Sequence, residues 1–296
     1  MIITKKMRLS VILFLLPALL IYVVLAVLPI IESIGFSFFN WNGVSGSPME
    51  FVGLKNFMKI SKYSQFYQAL KNVFWYTILN LILQIPIGYM MGYLLAAKTR
   101  GYRFVKALCF IPVILPMTAT ALVFQMIFGA NEGGALNAFL IAIGVLSKPT
   151  GWLIQKSTAL LCVIIANVWC GFGYHMTIGY AAVSEIPQDV IEAAELDGAK
   201  GFQKIKSIII PSIKESLKIS TVMIITGSIK TFDIIFIMTE GGPNGMTQVP
   251  GVMMYNEAFK YNRYGVGSAV SVVIFVLCIL FSILSLKIMH GKAEKE

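Results

Sequence analysis

The hydrophobic pattern of this chain predicts six helices that are long enough to cross a membrane. A membrane-spanning helix needs about 20 consecutive residues of mainly apolar character. Stretches of this kind cover residues 9–31, 67–97, 107–128, 158–182, 219–238 and 268–286. The sequence therefore predicts an all-α, polytopic membrane protein with six transmembrane helices, in a single domain over residues 1–296.

Two apolar stretches allow a second interpretation. Residues 135–146 are too few to cross a hydrocarbon core of about 30 Å at about 1.5 Å per residue. We expect an interfacial helix there, with Trp152 as a nearby anchor. Residues 9–31 follow three basic residues, as a signal peptide core would. A signal core has only about 7–15 residues and precedes a cleavage site, so this stretch is interpreted as an uncleaved first span.

The composition also indicates a membrane protein. Hydrophobic residues make up 57% of the chain and charged residues 13%, whereas soluble proteins carry about 25% charged residues. The net charge of +10 would also fit a nucleic-acid-binding protein. However, the basic residues lie in short loops beside apolar stretches, which favours a lipid membrane and no nucleic acid. The four cysteines lie in apolar stretches without C-x-x-C spacing, so we expect them to pack as small apolar residues.

Lys and Arg residues are divided unevenly between the segments that join the predicted spans. The N-terminus, the segments around residues 98–106 and 200–218, and the C-terminus with Lys292 and Lys295 carry about twice as many as the other loops, and such enrichment is typical of cytoplasmic segments. The pattern predicts a plasma or inner membrane protein with both termini in the cytoplasm. Residues 184–213 are expected on the same side.

The charge-rich stretch over residues 184–213 predicts two short helices joined at a glycine. Ser184–Pro187 has the pattern of a helix start, a hydroxyl or acidic cap followed by proline. Gly198 is expected to end this helix, because glycine adopts positive φ angles at little cost. A second helix is expected over residues 202–210.

The first of these helices carries no Lys or Arg on its polar face. A helix that lies on a bilayer is typically rich in those residues, so anionic headgroups would repel this one. An acidic helix with a small apolar face favours docking into a basic groove of a soluble protein. A hairpin lying on the membrane surface is the alternative. The acidic residues are Glu185, Asp189, Glu192, Glu195 and Asp197.

Two motifs extend this interpretation. Residues 192–211 read EAAELDGAKGFQKIKSIIIP, and residues 232–243 read FDIIFIMTEGGP. The first resembles the EAA signature of importer-type ABC permeases, with Ile210 in place of the usual leucine. The second resembles the FD…T-x-GGP pattern of sugar-transport permeases. The chain is thus similar to the permease subunits of carbohydrate ABC importers of the maltose and multiple-sugar type.

This resemblance implies a subunit that forms half of a translocation pathway and couples to a separate ATPase through the EAA loop. The implied partners are a second permease subunit, two ABC ATPase copies, an extracellular or periplasmic solute-binding protein and a carbohydrate. The chain has no G-x-x-x-x-G-K-[ST] loop, so we expect no bound cofactor and ATP hydrolysis by the partner. The resemblance assigns ATPase contact to Glu192, Ala193, Ala194, Asp197 and Gly198, and binding-protein contact to Gly241, Gly242 and Pro243.

Polar residues within two predicted spans are candidates for the solute pathway. Ionisable residues within spans are costly and often functional, and Lys230 and Asp233 lie three apart on the fifth span. They either neutralise each other, line the pathway or reach the interface. The nearby hydroxyls of Ser228 and Thr231 either bind a sugar or bond back to their own helix. The resemblance adds three residues of the fourth span: Asn167, Gly171 and Tyr174.

Glycines in the second and fourth predicted spans indicate places where another helix or a solute can approach the backbone closely. Gly171 and Gly173 lie beside aromatic residues and are interpreted as making room for a sugar ring. Gly88 and Gly92 form a small-residue face on the second span, which favours close helix packing. His175 is expected to be packed or hydrogen-bonded rather than a ligand.

A secondary transporter driven by an ion gradient is the alternative from another class, with Lys230, Asp233 and His175 as coupling residues. An internal inverted repeat would support it, and the sequence shows none by eye. The sequence also shows no Ser/His/Asp grouping and no metal-ligand grouping. We therefore expect no enzymatic activity.

Overall fold

The computed structural model describes residues 5–290, and its secondary structure is almost entirely helical. Lys292 and Lys295, which contribute to the basic C-terminus, lie outside the described residues. The helices are α1 (Lys5–Tyr22), α2 (Leu28–Phe36), α3 (Lys55–Ile60), α4 (Ser64–Ala96), α5 (Tyr102–Ile114), α6 (Met117–Ile127), α7 (Ala135–Ala142), α8 (Ala159–Ser184), α9 (Gln188–Leu196), α10 (Gly201–Lys204), α11 (Ile210–Ser212), α12 (Lys214–Ile229), α13 (Asp233–Thr239), α14 (Pro250–Tyr255) and α15 (Tyr264–His290). Short π-helical segments are Val23–Val27, Ile205–Ile209 and Asn256–Lys260.

Four of the six predicted spans are confirmed as long apolar helices. They are Ile12–Phe36, Ser64–Ala96, Ala159–Ser184 and Tyr264–Ser285. Two helix pairs meet the same criteria only when each pair is counted as one span, and both are bent. The described part of the chain therefore holds four such helices, or up to six spans when each bent pair is counted as one.

The third predicted span, residues 107–128, is not one continuous helix. It consists of α5 and α6, which meet at an angle of 96°. The break lies at Leu115, which is extended with ψ 137°, and at Pro116 with ψ 133°. Proline disfavours the helical conformation in the residue before it, so the sequence Leu115-Pro116 ends α5. The prediction of an uninterrupted helix was wrong at this point.

The fifth predicted span, residues 219–238, is also broken. It consists of α12 and α13, bent by 46°, and Lys230 to Phe232 lie between them. The backbone freed by the break packs closely against Gly251, since a Cβ there would stand 2.7 Å from the Thr231 carbonyl oxygen. Lys230 and Asp233 therefore do not share one helix face, contrary to the expectation from their spacing.

The described chain forms two compact units, while the single domain over residues 1–296 stays a prediction. One unit contains the chain up to Tyr63 together with Met254–Val273. It contains a small antiparallel hairpin, β1 (Phe39–Asn40) and β2 (Glu50–Phe51), in which Phe39 is opposite Phe51. The buried Asn56 amide donates to the carbonyl oxygens of Ser37 and Phe39 and holds the adjoining loop.

The second unit contains Ser64–Met253 and the chain from Ile274, and its centre is the packing of α4 against α8. A Cβ on Gly92 would stand 2.6 Å from the Tyr180 backbone nitrogen, and one on Gly88 would stand 2.9 Å from the His175 Cβ. The absence of side chains at these glycines lets the helices approach closely. The predicted small-residue face is confirmed as a helix contact.

Helix α7 occupies the predicted interfacial stretch and has only eight residues. Its buried Asn137 amide donates to the carbonyl oxygens of Gly129 and Thr150. The Asn137 Oδ1 atom accepts from the Trp152 indole at 2.9 Å. The predicted anchor Trp152 is thus fixed to α7, and the interfacial position of this helix stays a prediction.

Candidate functional site: a central cavity and a charged hairpin

A cavity of about 450 Å³ lies in the second unit, between α4, α5, α8, α12 and α13. We call it the central cavity. All seven residues predicted for the solute pathway line it, although they come from two separate predicted spans. They are Asn167, Gly171, Tyr174, Ser228, Lys230, Thr231 and Asp233.

Helix α8 supplies one wall of the central cavity. Asn167, Gly171, Tyr174 and His175 line it, and their spacings of three and four residues place them on one helix face. Tyr174 is 39% exposed. Its side chain is therefore accessible at the cavity wall.

The break between α12 and α13 supplies the charged part of the cavity wall. Lys230 and Asp233 are both exposed, and the ion pairs of the described residues do not include one between them. Lys230 directly follows the last residue of α12 and Asp233 begins α13, so each charge lies at the helix end whose dipole it complements. The expected mutual neutralisation is therefore not made through a direct ion pair.

An amide network on α4 was missed by the sequence analysis. Asn80 Nδ2 donates to the Tyr76 carbonyl oxygen at 2.7 Å. Asn80 Oδ1 accepts from Gln84 Nε2 at 2.6 Å and from Asn167 Nδ2 at 2.7 Å. The Thr231 hydroxyl donates to the Tyr76 hydroxyl at 3.4 Å. A polar side chain at every fourth position of an apolar span, from Asn72 to Gln84, was the available signal.

Gly171 and Gly173 of α8 do not open space for a solute at their Cβ positions. A Cβ on Gly171 would stand 2.5 Å from Gln84 Oε1. A Cβ on Gly173 would overlap the carbonyl oxygen of Cys109 on α5. Protein atoms already occupy the room that these glycines leave, so the interpretation that they accommodate a sugar ring was wrong.

His175 lies at the same wall and is only 5% exposed. Its ring contacts Tyr174 edge to face at 5.6 Å. Its Nδ1 atom has no hydrogen-bond partner among residues 5–290, so the residue is packed but not hydrogen-bonded through that atom. No group of three or more His, Cys, Asp or Glu side chains that could hold a metal ion occurs in the described part of the chain.

The predicted cytoplasmic loop folds as a helical hairpin over residues 188–212, which we call the coupling hairpin. Helix α9 begins after Pro187, and Ser184 is the last residue of α8. The predicted start at Ser184 was therefore wrong, because α8 continues through it. Gly198 has a φ of +83° and follows the end of α9, as predicted.

The predicted ATPase-contact residues differ in exposure. Glu192, Ala193, Asp197 and Gly198 are exposed, whereas Ala194 is buried at 6%. Ala194 therefore packs within the protein and does not form part of the outer surface of α9. Its carbonyl oxygen accepts from the Ala199 N–H at 2.9 Å, which closes the turn.

Two large apolar side chains at the tip of the coupling hairpin were missed. Leu196 is 89% exposed and Phe202 is 76% exposed. Beside them, Lys204 Nζ contacts Glu195 Oε1 at 2.6 Å. The tip therefore presents apolar side chains next to the exposed carboxylates of α9, a combination typical of a protein-binding surface.

The base of the coupling hairpin packs on the helices that surround the central cavity. Ile209 and Ile213 form a buried cluster with Tyr89 of α4 and Val183 of α8. The Tyr89 hydroxyl also bonds Ser220 at 2.9 Å and Ser216 at 3.2 Å, both on α12. Movement of the hairpin base would therefore act on three helices of the cavity wall.

The predicted binding-protein contact forms a tight turn after α13. Gly241 has a φ of +80° and is buried. A Cβ at this position would overlap Gln248 Oε1. Gly242 and Pro243 are partly exposed. The Gly242 carbonyl oxygen accepts from the Thr247 hydroxyl at 3.1 Å. These two residues, rather than Gly241, present the surface of the turn.

Comparison with known proteins places these features in one context. The sequence profile of the family described as "Binding-protein-dependent transport system inner membrane component" matches residues 84–293. The chain is 33% identical to the probable ABC transporter permease protein YurN of Bacillus subtilis, with 95% of this chain and 97% of the relative covered. It is 30% identical to the multiple sugar-binding transport system permease protein MsmF of Streptococcus mutans, with 93% of each chain covered.

A solved structure has a similar fold. It is that of a bacterial ABC transporter involved in the import of the acidic polysaccharide alginate, and one of its chains matches with a TM-score of 0.82. The two chains are 19% identical, with 97% of this chain and 96% of that chain covered. The likeness confirms the predicted all-α membrane fold.

Proposed function

Because the chain belongs to the family of binding-protein-dependent transport system inner membrane components, we propose that it is the permease subunit of an ATP-driven sugar importer. It forms half of the translocation pathway, and a second permease subunit supplies the other half. Two copies of an ABC ATPase hydrolyse the ATP, and a solute-binding protein outside the membrane delivers the sugar. This chain itself binds no cofactor.

The central cavity is the observation that carries the proposal. Its volume of about 450 Å³ falls within the range of small-molecule sites, about 300–1,000 Å³. Uncharged amide, phenol and hydroxyl groups from Asn167, Tyr174 and Ser228 line it, and such groups bind the hydroxyls of a sugar. The name of the relative MsmF, which refers to multiple sugars, supports the same class of solute.

The coupling hairpin is the proposed ATPase contact. Glu192 and Asp197 are exposed acidic groups, and they fit a basic cleft of the ATPase together with the apolar tip at Leu196. Closure of the ATPases moves the hairpin, and the buried cluster at Ile209 and Ile213 transmits the movement to the cavity wall. The excess of Lys and Arg on these segments supports a cytoplasmic position for the hairpin and both termini.

The turn at Gly242 and Pro243 is the proposed contact for the solute-binding protein. The coupling hairpin precedes the broken fifth span, which begins with α12 at Lys214, and this turn follows the span, which ends with α13 at Thr239. The turn and the hairpin are therefore joined to opposite ends of the span. Partial exposure of both residues supports this assignment. Gly241 contributes through its backbone conformation.

Reconstitution tests the proposal. The chain is purified from native membranes with its associated subunits and reconstituted in vesicles, with candidate binding proteins and maltose, trehalose, lactose or raffinose. We expect recovery of a nucleotide-hydrolysing subunit, ATP-dependent uptake of at least one sugar, and ATPase activity stimulated by the sugar-loaded binding protein.

The ion-gradient alternative predicts a different result in the same vesicles. It requires uptake by this chain without ATP when a proton or sodium gradient is imposed, and such uptake would overturn the proposal. The family match does not favour this alternative. The positions of Lys230 and Asp233 at separate helix ends already give each charge a structural role.

A further inference from the structure

The amide network of α4 meets the central cavity at one wall. Gln84 and Asn167 both line the cavity. Asn80 lies between them, is 0% exposed, and is absent from the cavity surface. Asn80 is therefore placed to orient the other two amides without touching a solute itself.

The orientation of all three amides follows from one acceptor. The Tyr76 carbonyl oxygen can only accept a hydrogen bond, so the Asn80 atom that contacts it at 2.7 Å must be the NH₂ group. Asn80 Oδ1 then points to the other side and can only accept. Gln84 and Asn167 must consequently direct their NH₂ groups to it, at 2.6 and 2.7 Å.

In this arrangement the side-chain carbonyl oxygens of Gln84 and Asn167 make no hydrogen bond within the network. Gln84 Oε1 is held beside Gly171, whose missing side chain gives it room. Gln84 and Asn167 lie on different helices, α4 and α8. Gln84 is 3% exposed, but both residues line the cavity, and neither amide oxygen has a hydrogen bond among the described residues. A solute that donates hydrogen bonds at this wall would satisfy them.

We propose that Gln84 is a further solute-binding residue, whose Oε1 accepts a hydrogen bond from one sugar hydroxyl, and that Asn80 is a positioning residue which orients Gln84 and Asn167 together. The inference rests on the proposed function and specifies which groups form hydrogen bonds with the solute. It selects a neutral, hydroxyl-rich solute at this wall, because a carboxylate or phosphate of the solute has no proton to donate to an amide oxygen.

Deoxy analogues of the transported sugar provide the test. Transport by the whole complex is measured at saturating, loaded binding protein, so that differences between variants arise in the membrane subunits. The sugar is compared with its monodeoxy derivatives that load the binding protein. In the unaltered complex, the analogue without the recognised hydroxyl should be transported about 5- to 10-fold more slowly, as expected for one lost hydrogen bond.

Gln84→Met keeps the length of the side chain and removes the acceptor. We expect it to slow transport of the parent sugar by about 5- to 10-fold and to leave the rate for that one analogue unchanged. Asn80→Leu should show the same loss of discrimination, because the Gln84 amide is no longer oriented. Discrimination at the other hydroxyls should persist in Gln84→Met.

Asn72→Leu is the matched control. Asn72 lies on the same face of α4, is 4% exposed, and donates to the carbonyl oxygens of Gly245 and Gln248. It does not line the cavity, so it should slow all analogues by one common factor. If Gln84→Met also slows every analogue by a common factor, Gln84 has only a structural role and the inference is wrong. Absence of transport of any sugar by the unaltered complex would instead contradict the proposed function.

Discussion

The central cavity and the coupling hairpin use polar residues in opposite ways. In the cavity wall, amides such as Asn80 are fully buried and bonded to one another. On the hairpin, Glu192 and Asp197 are exposed, and within residues 5–290 the Glu192 carboxylate accepts a hydrogen bond only from its own helix neighbour Gln188, at 3.2 Å. The first region is specified by internal contacts and the second by what it offers to a partner.

This difference predicts different tolerance to mutation. Buried, bonded groups and closely packed glycines are sensitive to small changes in volume. Exposed charges contribute little to the stability of the chain itself, but they contribute to association with a partner. Changes in the cavity wall should therefore alter folding or selectivity, while changes on the hairpin should alter coupling.

The largest expected effect comes from the α4–α8 contact. Gly92→Leu would add a side chain whose first atom, Cβ, would lie 2.6 Å from the Tyr180 backbone nitrogen. We expect a loss of stability of about 3 kcal/mol or more, measured by thermal unfolding and by yield of the purified complex. Gly35→Leu in α2 is the control, because no atom of residues 5–290 beyond its helix neighbours lies within 4 Å of its Cβ position. Equal losses in both variants would show that helix contact is not the cause.

Glu192→Lys tests the coupling hairpin. We expect a fall of about 30-fold or more in sugar-stimulated ATPase activity, because the charge that is proposed to pair with the ATPase is reversed, with no change in the melting temperature of the isolated chain. Glu132→Lys is the control, since it makes the same charge change at another exposed site. Unchanged stimulation and subunit recovery in Glu192→Lys would contradict the coupling assignment.

A smaller effect is expected at the cavity wall from Gly171→Ala. The added methyl group would displace the Gln84 amide, whose Oε1 lies 2.5 Å from the Cβ position, and we expect a loss of about 1–2 kcal/mol in unfolding free energy. Gly227→Ala is the control, because it adds a methyl group in the same cavity. No atom of residues 5–290 beyond its helix neighbours lies within 4 Å of the Gly227 Cβ position. If Gly227→Ala lowers the free energy of unfolding as much as Gly171→Ala does, the packing explanation is wrong.

The smallest effect is expected from Lys204→Ala on the hairpin. The Lys204–Glu195 ion pair has a half-exposed carboxylate partner, 56% accessible, and such pairs contribute about 0.5 kcal/mol or less. Thermal unfolding in low and high salt should show almost no difference between this variant and the unaltered chain. A loss above about 1 kcal/mol would mean that the hairpin depends on internal electrostatics as the cavity wall does.

The sequence was most informative where the determining interactions are local. Hydrophobic length alone predicted the four continuous spans, and Gly198 predicted the end of α9. The two motifs at residues 192–211 and 232–243 carried a resemblance that the family match confirms. Both breaks were missed, although the Leu115-Pro116 sequence was visible, because hydropathy averages over the residues that interrupt a helix.

Sequence by itself determined that this chain is an apolar membrane permease with an acidic helix between its fourth and fifth predicted spans, because span length, glycine stops and motif spacing depend on residues close together in the chain. Only the tertiary structure decided which polar groups meet. Asn167 meets the Asn80–Gln84 pair of α4 because α4 and α8 approach closely at Gly88 and Gly92. Such a contact depends on how two distant helices pack, and no local pattern encodes that geometry.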